Sequence, residues 1–238
     1  VTKFQVLAFG IEMVYVPEGP FYLGSGGSEP NHFYQYTDGS QDRLPYRVRA
    51  AGAIPTGPQP GPLWATGAAP DGADAGKIPA AFPDGYRGFF CMKRVVTQGQ
   101  YAGFLAALAT RTPDERYGCA GRWPVRPDLK WDEGAAFTAW AGLRPLTELE
   151  YEKARRGARA PVPNEAQPSA WGIEDLHAGG MVGLVVSVAD EAGRRFAGTH
   201  GGGAPTLPAD WPRTPADWPG DGVHPAAVPP GVTHRGGG

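Results

Sequence analysis

The chain has 238 residues, a formal net charge of -2 at pH 7 and a hydrophobic fraction of 41%. This length suffices to bury a substantial core, and we expect one domain over residues 1–238 rather than two small ones. The balanced charge, with no run of one sign, gives no electrostatic indication of nucleic acid binding. Glycine, with 36 residues, and proline, with 26, together make about a quarter of the chain, which predicts many turns and little regular structure.

Cysteine usage and hydropathy bear on the compartment. The two cysteines, Cys91 and Cys119, are too few for a disulfide scaffold and lack the spacing of metal ligands, although one disulfide stays open. Cys91 lies in FFCMKRVV, where a small buried thiol is expected. No apolar run is long enough to span a bilayer, and no signal-peptide pattern is present. We expect a cytoplasmic location by default; a secreted or surface location stays open because the chain begins with Val1 rather than Met, as a trimmed chain would.

The N-terminal third predicts short strands and long loops. Residues 4–9 and 13–16 are typical of strands, and MVYVPEGPFYLG predicts a hairpin whose turn uses the positive φ available to Gly19. Residues 25–46 predict a polar loop with clustered aromatic residues, and a loop rich in glycine, proline and alanine follows to Pro79. Such loops carry binding residues in some proteins but more often pack irregularly.

The next part predicts a strand followed by a helix. Residues 89–96 are expected to form a strand that leads directly into a helix capped by Thr97 and Gln100. A loop over residues 109–130 follows this helix. The apolar face of the helix is expected to be core, because its residues recur at helical spacing: Tyr101, Phe104, Leu105 and Leu108.

The segment WDEGAAFTAWAGLRPLTELEYEKARRG, residues 131–157, predicts two short helices joined by a tight connection. In the first helix, Asp132 is the expected N-cap and Gly142 the terminator. In the second, Thr147 and Glu150 predict a capping box, because each side chain satisfies a free backbone N–H at the helix start. Leu146 and Tyr151 flank this box as a hydrophobic staple, and Gly157 offers the C-cap. The first helix is expected to show an apolar face, because four of its residues recur at helical spacing: Ala136, Phe137, Trp140 and Ala141.

Three carboxylates on the second helix, Glu148, Glu150 and Glu152, are one candidate for acid–base chemistry. A structural explanation competes with it. Carboxylates near a helix N-terminus complement the helix dipole, and Glu152 is placed to pair with Arg156 one turn later. We favour the structural explanation.

The remaining sequence predicts two more strands. Residues 181–188 form the most apolar run of the second half and predict a central strand, and residues 232–235 are expected to open a last strand. His200 lies in AGTHGGGAP, which lacks the lysine of a phosphate-binding loop, so a tight surface turn is expected. The five histidines are scattered and give little support for a metal site.

The segment AGLRPLTELEYEKARRG, with PVPNE and AWG soon after it, closely resembles the formylglycine-generating enzyme (sulfatase-modifying factor) family. FPDGYRGFFCMKRVVTQGQYAGFLAAL and MVYVPEGPFYLGS resemble it as well and occur in the right order, so the likeness covers most of residues 11–203. It implies an α+β, C-type lectin-like fold of the formylglycine-generating enzyme variant, with few short helices and strands and a high loop content. The same domain serves without catalysis in the variable proteins of diversity-generating retroelements. VTHRGGG resembles only the beginning of the family's closing RGGSW…GFR region, so we expect the domain to be incomplete at its C-terminal end.

Two departures from the family bear on its chemistry. Family enzymes oxidise a substrate cysteine with copper held by a C-terminal cysteine pair, but no cysteine follows Cys119 here. In LHAGGMVGL, residues 176–184, the family's calcium-binding GNVWEW-like run aligns so that Gly180 and Gly183 replace its Asn and Glu. The oxygen ligands that a hard cation needs are therefore missing. These departures imply no catalytic residues, no metal site and no cofactor, with copper required only by the alternative function below.

Trp211 and Trp218 lie in the near-repeat ADWPRTPADWPG and are candidate ligand-binding residues, because exposed tryptophans on loops are common binding anchors. Tryptophans beside prolines also serve as packed loop staples, and this alternative stays open. His234 and Arg235 join the candidate site, because the closing strand would place them beside the tryptophans if it folds back as in the family.

These observations favour a non-catalytic ligand-binding protein that presents a variable C-terminal surface on a C-type lectin-like scaffold, as retroelement variable proteins do. The expected partner is a protein or small-molecule ligand, without nucleic acid and without a membrane span, and a monomer is favoured. The alternative is a copper-dependent formylglycine-generating oxidase, which requires a copper-binding dithiol. A third hypothesis is an accessory domain of a larger signalling or surface protein.

Overall fold

The computed structural model describes residues 10–27, 33–37, 44–65, 76–107, 131–164, 168–174, 176, 183–189, 191–203, 214–220 and 228–235. In these ranges the chain forms four helices: α1 (Gln98–Ala107), α2 (Trp131–Trp140), α3 (Glu148–Arg156) and α4 (Glu191–Arg194). It also forms ten short strands: β1 (Met13–Val16), β2 (Phe21–Leu23), β3 (Phe33–Gln35), β4 (Tyr46–Val48), β5 (Ile54–Pro55), β6 (Leu63–Ala65), β7 (Lys77–Ile78), β8 (Phe89–Met92), β9 (Gly183–Val186) and β10 (Val232–Arg235). The expected α+β class, with few helices and short antiparallel strands, is confirmed at this level. None of the described helices has the length and apolar composition needed to cross a bilayer.

The strands form two-stranded antiparallel ladders that join distant parts of the chain. Within the described ranges, β1 pairs with β8, β2 with β4, β3 with β6, β5 with β7, and β9 with β10. The hairpin expected between β1 and β2 is therefore wrong. The physical reason is that the two strands belong to different cores: Val16 packs with Phe89, whereas Phe21 and Leu23 pack in the largest cluster. Gly19 does have the expected positive φ, 141°, but it links two ladders instead of closing a hairpin.

The long loops expected between residues 25 and 79 contain β3 to β7 instead. These strands are only two or three residues long, too short for periodicity to reveal them. Each places one apolar side chain in the largest core cluster: Phe33, Val48, Ile54, Leu63 and Ile78. The strand expected over residues 4–9 and the loop expected over residues 109–130 lie outside the described residues.

The capping signals of α1 and α3 are confirmed. The Thr97 hydroxyl accepts from the Gln100 N–H at 3.2 Å, and the Gln100 side-chain oxygen accepts from the Thr97 N–H at 2.9 Å. Thr147 and Glu150 form the same reciprocal pair at 3.1 and 3.2 Å. Gly157 ends α3 with a φ of 71°, and its N–H donates to a backbone carbonyl of the last turn. Local sequence therefore defines where both helices begin, and burial of their apolar residues in the core clusters stabilises them.

The start of α2 differs from the expectation. Trp131 is its first residue, so Asp132 lies inside the first turn and is not the N-cap. The buried indole of Trp131 donates to the Pro219 carbonyl oxygen at 2.7 Å, and this long-range contact holds the helix start. Gly142 ends the helix as expected, with a φ of 71°.

Among the described residues, the buried side chains form three clusters. The largest joins β2 to β7, α2, α3, β9 and β10, and a second fills the interface between α1 and α2. The third lies between the β1–β8 ladder and α3 and contains Val16, Phe89, Cys91, Ala154 and Ile173. Because α3 contributes Leu149 to the first cluster and Ala154 to the third, this helix lies between two cores.

Residues 181 and 182 of the strand expected over 181–188 lie outside the described residues. β9 covers Gly183–Val186 and so ends two residues earlier than predicted, while β10 has the expected bounds. β9 pairs with β10 on one side. On the other side the Val186 N–H donates to the Leu146 carbonyl oxygen at 2.9 Å, just before α3 begins. β9 therefore lies between the closing strand and the N-terminus of α3, which brings the last described residues to that helix.

Candidate functional site

Glu148, the first residue of α3, attaches the C-terminal strands to the helix. Its Oε1 accepts from the Nη2 and Nε atoms of Arg235 at 2.7 and 3.0 Å. Its Oε2 accepts from the Ser187 hydroxyl at 3.0 Å and from the Val188 N–H at 2.7 Å. Both carboxylate oxygens are therefore engaged, and Glu148 itself is only 5% exposed. This side chain holds β10 and the end of β9 in place.

The other two carboxylates of α3 are also buried and engaged. Glu150 accepts from Arg144, whose Nη1 lies 2.7 Å from Oε2, as well as from the backbone of Thr147. Oε2 of Glu152 accepts from the Gly24 N–H at 3.1 Å and from Arg156 at 3.4 Å, so the expected pairing of Glu152 with Arg156 is confirmed. The acid–base alternative finds no support in this geometry, because each carboxylate is held by a cation and by backbone or hydroxyl donors.

Arg235, one of the candidate ligand-binding residues, points into this charged cluster. Its guanidinium carbon lies 4.7 Å from the ring centre of Phe33, in addition to the contacts with Glu148. Burial is the largest effect on the pKa of Arg235 and acts to lower it, but the negative charges of Glu148 and Glu152 and the hydrogen bond to Glu148 together raise it. These contacts direct the side chain of Arg235 into the protein, where it attaches β10 to α3.

Trp218 is buried rather than exposed, with 4% of its surface accessible. Its indole N–H donates to the Thr199 carbonyl oxygen at 2.8 Å, and its ring lies 6.4 Å from that of Phe196. The expectation of an exposed binding anchor fails at Trp218, because its ring completes an aromatic cluster and its N–H is already satisfied. Of the two alternatives that the sequence left open for Trp218, the structure shows the second, a tryptophan packed beneath its loop. Trp211 lies outside the described residues.

Asp217 strengthens this attachment and was missed by sequence reasoning. Its Oδ2 accepts from the backbone N–H groups of Ala197 and Thr199 at 3.0 and 3.3 Å. Asp217 and Trp218 together clamp residues 214–220 onto the turn at residues 197–203. The available signal was an acidic residue directly before the tryptophan of ADWP, a residue type that often accepts from nearby backbone N–H groups.

The turn around His200 is itself packed against α2. The Gly201 N–H donates to the Leu143 carbonyl oxygen at 2.8 Å, and the Gly203 N–H donates to Ala139 at 3.2 Å. A side chain at Gly201 would overlap the backbone of Ala139, so only glycine fits here. His200 is exposed on this turn, as expected for a tight surface turn.

Three segments of the described chain contact one another, and we call them together the C-terminal surface: residues 197–203, 214–220 and 228–235. Trp218 joins the first two segments, and Pro219 packs beside Gly231 at the start of the third. On β10, His234 lies opposite Leu184 and its side chain is exposed. Of the four residues expected to bind ligand, His234 is the described one that is exposed, because the side chain of Arg235 is only 13% exposed. His200 is an exposed histidine of another of the three segments.

Cys91 is a buried free thiol in the third core cluster. Burial, together with the negative charge of Glu150, raises its pKa to about 12. The reactive thiolate is therefore scarce at neutral pH. Cys119 lies outside the described residues, as do residues 177–182 of the run compared with the family's calcium site. In the part of the chain that the structure describes, no three or more His, Cys, Asp or Glu residues are grouped to hold a metal ion.

Comparison of the chain with protein-family models, curated proteins and solved structures gives no match.

Proposed function

We propose that the protein is a non-catalytic ligand-binding domain of the C-type lectin-like kind, similar to retroelement variable proteins. Its C-terminal surface contacts a protein or small-molecule ligand through exposed side chains that include His200 and His234. Trp218 and Arg235 hold the backbone of that surface and do not touch the ligand.

The observation that carries this proposal is that the residues that hold the backbone of the surface in place are different from the exposed residues available to contact a ligand. Glu148, Arg235 and Trp218 hold the backbone of the surface through partly buried contacts, and Asp217 holds it through hydrogen bonds to the exposed backbone of Ala197 and Thr199. The exposed side chains at 200 and 234 take no part in those contacts. Exposed substitutions away from packing and hydrogen bonds usually change stability by less than about 0.5 kcal/mol. Such a surface can change its ligand without losing its fold.

The buried state of Cys91 supports binding over thiol chemistry at this residue. A thiol with a pKa near 12 that packs against Val16 and Ala154 is neither a ready nucleophile nor an accessible copper ligand. The oxidase alternative therefore has to draw on residues other than Cys91.

The test compares two matched sets of variants. In the first set, His200 and His234 are replaced together by Ala, Asp or Tyr. The wild type and these variants are screened on a printed glycan array and with a phage-displayed random peptide library. We expect the wild type to enrich a defined set of probes, and the variants to lose or change that set while keeping the wild-type unfolding midpoint. The exposed residue Val162, outside the C-terminal surface, provides the control Val162→Ala, which should retain the wild-type set.

Two results would contradict the proposal. The first is an enriched set that is the same for the histidine variants as for the wild type. The second is copper-dependent oxidation of a cysteine-containing peptide by the purified chain, with stoichiometric copper bound, which would establish the oxidase alternative.

A further inference from the structure

A separate depression of about 380 Å³ lies beside β4, outside the C-terminal surface. Residues 46–54 form most of its lining, and Gln35 and Gly61 complete it. Val48 and Ile54 are buried in the largest core cluster, whereas the loop between them carries only alanine and glycine from residue 50 to residue 53. These small side chains leave the hollow open. Its volume falls within the ~300–1,000 Å³ typical of small-molecule sites.

The described lining carries two arginines and no carboxylate. Arg47 in β4 and Arg49 just after it are two residues apart, a spacing that places both side chains on the same face of an extended chain. The guanidinium carbon of Arg47 lies 5.4 Å from the ring centre of Tyr22, its cross-strand neighbour, and this stacking orders the side chain. Two cations on one side of a hollow create a positive potential that favours an anionic ligand.

Tyr46 supplies a neutral donor in the same lining. Burial raises the pKa of its hydroxyl above the ordinary range, and the positive charge of Arg49 opposes this rise without cancelling it. The hydroxyl therefore stays protonated at neutral pH.

The loop that lines the hollow is fixed from below. Asp84 is 5% exposed, and its Oδ2 accepts from the Gly52 N–H at 2.9 Å while its Oδ1 accepts from the Tyr86 N–H at 2.8 Å. Gly52 has a φ of 145°, which residues with side chains rarely adopt. Because both oxygens of Asp84 are engaged by backbone donors, its role is to shape the loop. The depression is thus organised before a ligand arrives.

We propose that this depression binds a small organic anion whose carboxylate or phosphate group accepts hydrogen bonds from Arg47 and Arg49. The planar fork of a guanidinium matches both kinds of oxyanion, and charge-assisted bonds of this type are roughly twice as strong as neutral ones. One oxyanion occupies only part of the hollow. The Tyr46 hydroxyl and the Gln35 amide are then available to form hydrogen bonds with the other polar groups of the ligand.

The experiment uses isothermal titration calorimetry of the full chain at constant ionic strength. Citrate tests a carboxylate ligand, glucose 6-phosphate tests a phosphate ligand, and glucose is the uncharged control. We expect saturable binding of at least one anion and none of glucose. Arg47→Gln and Arg49→Gln should each weaken that binding about tenfold, the effect of losing one charge-assisted hydrogen bond.

Arg195→Gln is the matched control, because this exposed arginine lies outside the depression and its loss lowers the net charge equally. It should change the affinity less than twofold. Circular dichroism of each variant checks that the fold is kept, which we expect since Arg47 and Arg49 are exposed. Failure of both anions to saturate, or equal weakening by Arg195→Gln, would overturn the proposal, and neither result bears on the C-terminal surface.

Discussion

Arg235 in β10 and Glu148 at the start of α3 form a buried ion pair that spans 87 positions of the chain. Two nitrogens of the guanidinium donate to one oxygen of the carboxylate, while the other oxygen accepts hydrogen bonds from the Ser187 hydroxyl and the Val188 N–H. Removing one partner of such a pair leaves a buried charge without its counter-ion, which costs far more than removing both partners.

Arg235→Met should therefore lower the free energy of unfolding by about 3–5 kcal/mol. The double variant Glu148→Gln with Arg235→Met should recover part of this loss, because the glutamine oxygen can still accept from Val188 while no uncompensated charge remains. Urea unfolding of the two single variants and the double variant measures the coupling. Additive losses, with a coupling under about 0.5 kcal/mol, would show that the pair does not fasten β10.

Trp218→Ala should reduce stability by about 3–5 kcal/mol, because it removes a buried ring from the Phe196 cluster and leaves the Thr199 carbonyl without its donor. His234→Ala on the exposed side of the same surface should change it by less than about 0.5 kcal/mol. Chemical denaturation of both variants tests whether the residues that hold the surface in place differ from the exposed ones. Similar losses for the two variants would remove the physical basis of the proposed function.

Cys91 should react slowly with thiol reagents while the protein is folded. A pKa of about 12 means that roughly one thiol in ten thousand is ionised at pH 8, and the ionised fraction rises about tenfold per pH unit above that. Iodoacetamide labelling of a Cys119→Ser variant, followed by mass spectrometry, isolates Cys91. Full labelling within minutes in the absence of denaturant, at the rate seen in urea, would show that the third core cluster is not closed.

Gly201 and Gly202 form a matched pair for testing the packing of the His200 turn. A methyl group at Gly201 would overlap the Ala139 backbone, whereas a methyl group at Gly202 meets nothing within 4 Å. Gly201→Ala should thus cost about 1–3 kcal/mol, the range found for overpacked sites. Gly202→Ala should be neutral or stabilising by up to ~1 kcal/mol, because it restricts the unfolded chain. Thermal unfolding compares them, and equal midpoints would place the turn away from α2.

The helices were predictable because their signals are local. Thr147 and Glu150 lie three residues apart and satisfy each other's backbone groups whatever the rest of the chain does. The pairing of strands was not predictable in this way. Val16 pairs with Phe89, although the six strands β2 to β7 lie between them in the sequence. The residues next to Val16 do not encode this pairing, which depends on the core cluster that β1 and β8 share.

The candidate site was predicted in part. The bounds of β10 agree with the expectation, and the role of His234 stays a prediction. The sequence could not separate an exposed Trp218 from a packed one, because both uses favour tryptophan beside proline. The carboxylates of α3 were correctly judged structural, although for an incomplete reason. Their partners Gly24 and Arg235 are too distant in sequence for helix periodicity to indicate them.

The carboxylates of α3 also set the order in which the protein can fold. Glu152 needs Gly24, which lies 128 positions before it, and Glu148 needs Arg235, which is synthesised 87 positions after it. Contacts between residues so far apart in sequence require the chain to lose loop-closure entropy before the contacts stabilise the fold. Chains dominated by such contacts fold in milliseconds to seconds rather than microseconds. A nascent chain that does not yet include Arg235 therefore lacks the cation that neutralises Glu148, and full burial of this carboxylate at the N-terminus of α3 requires β10.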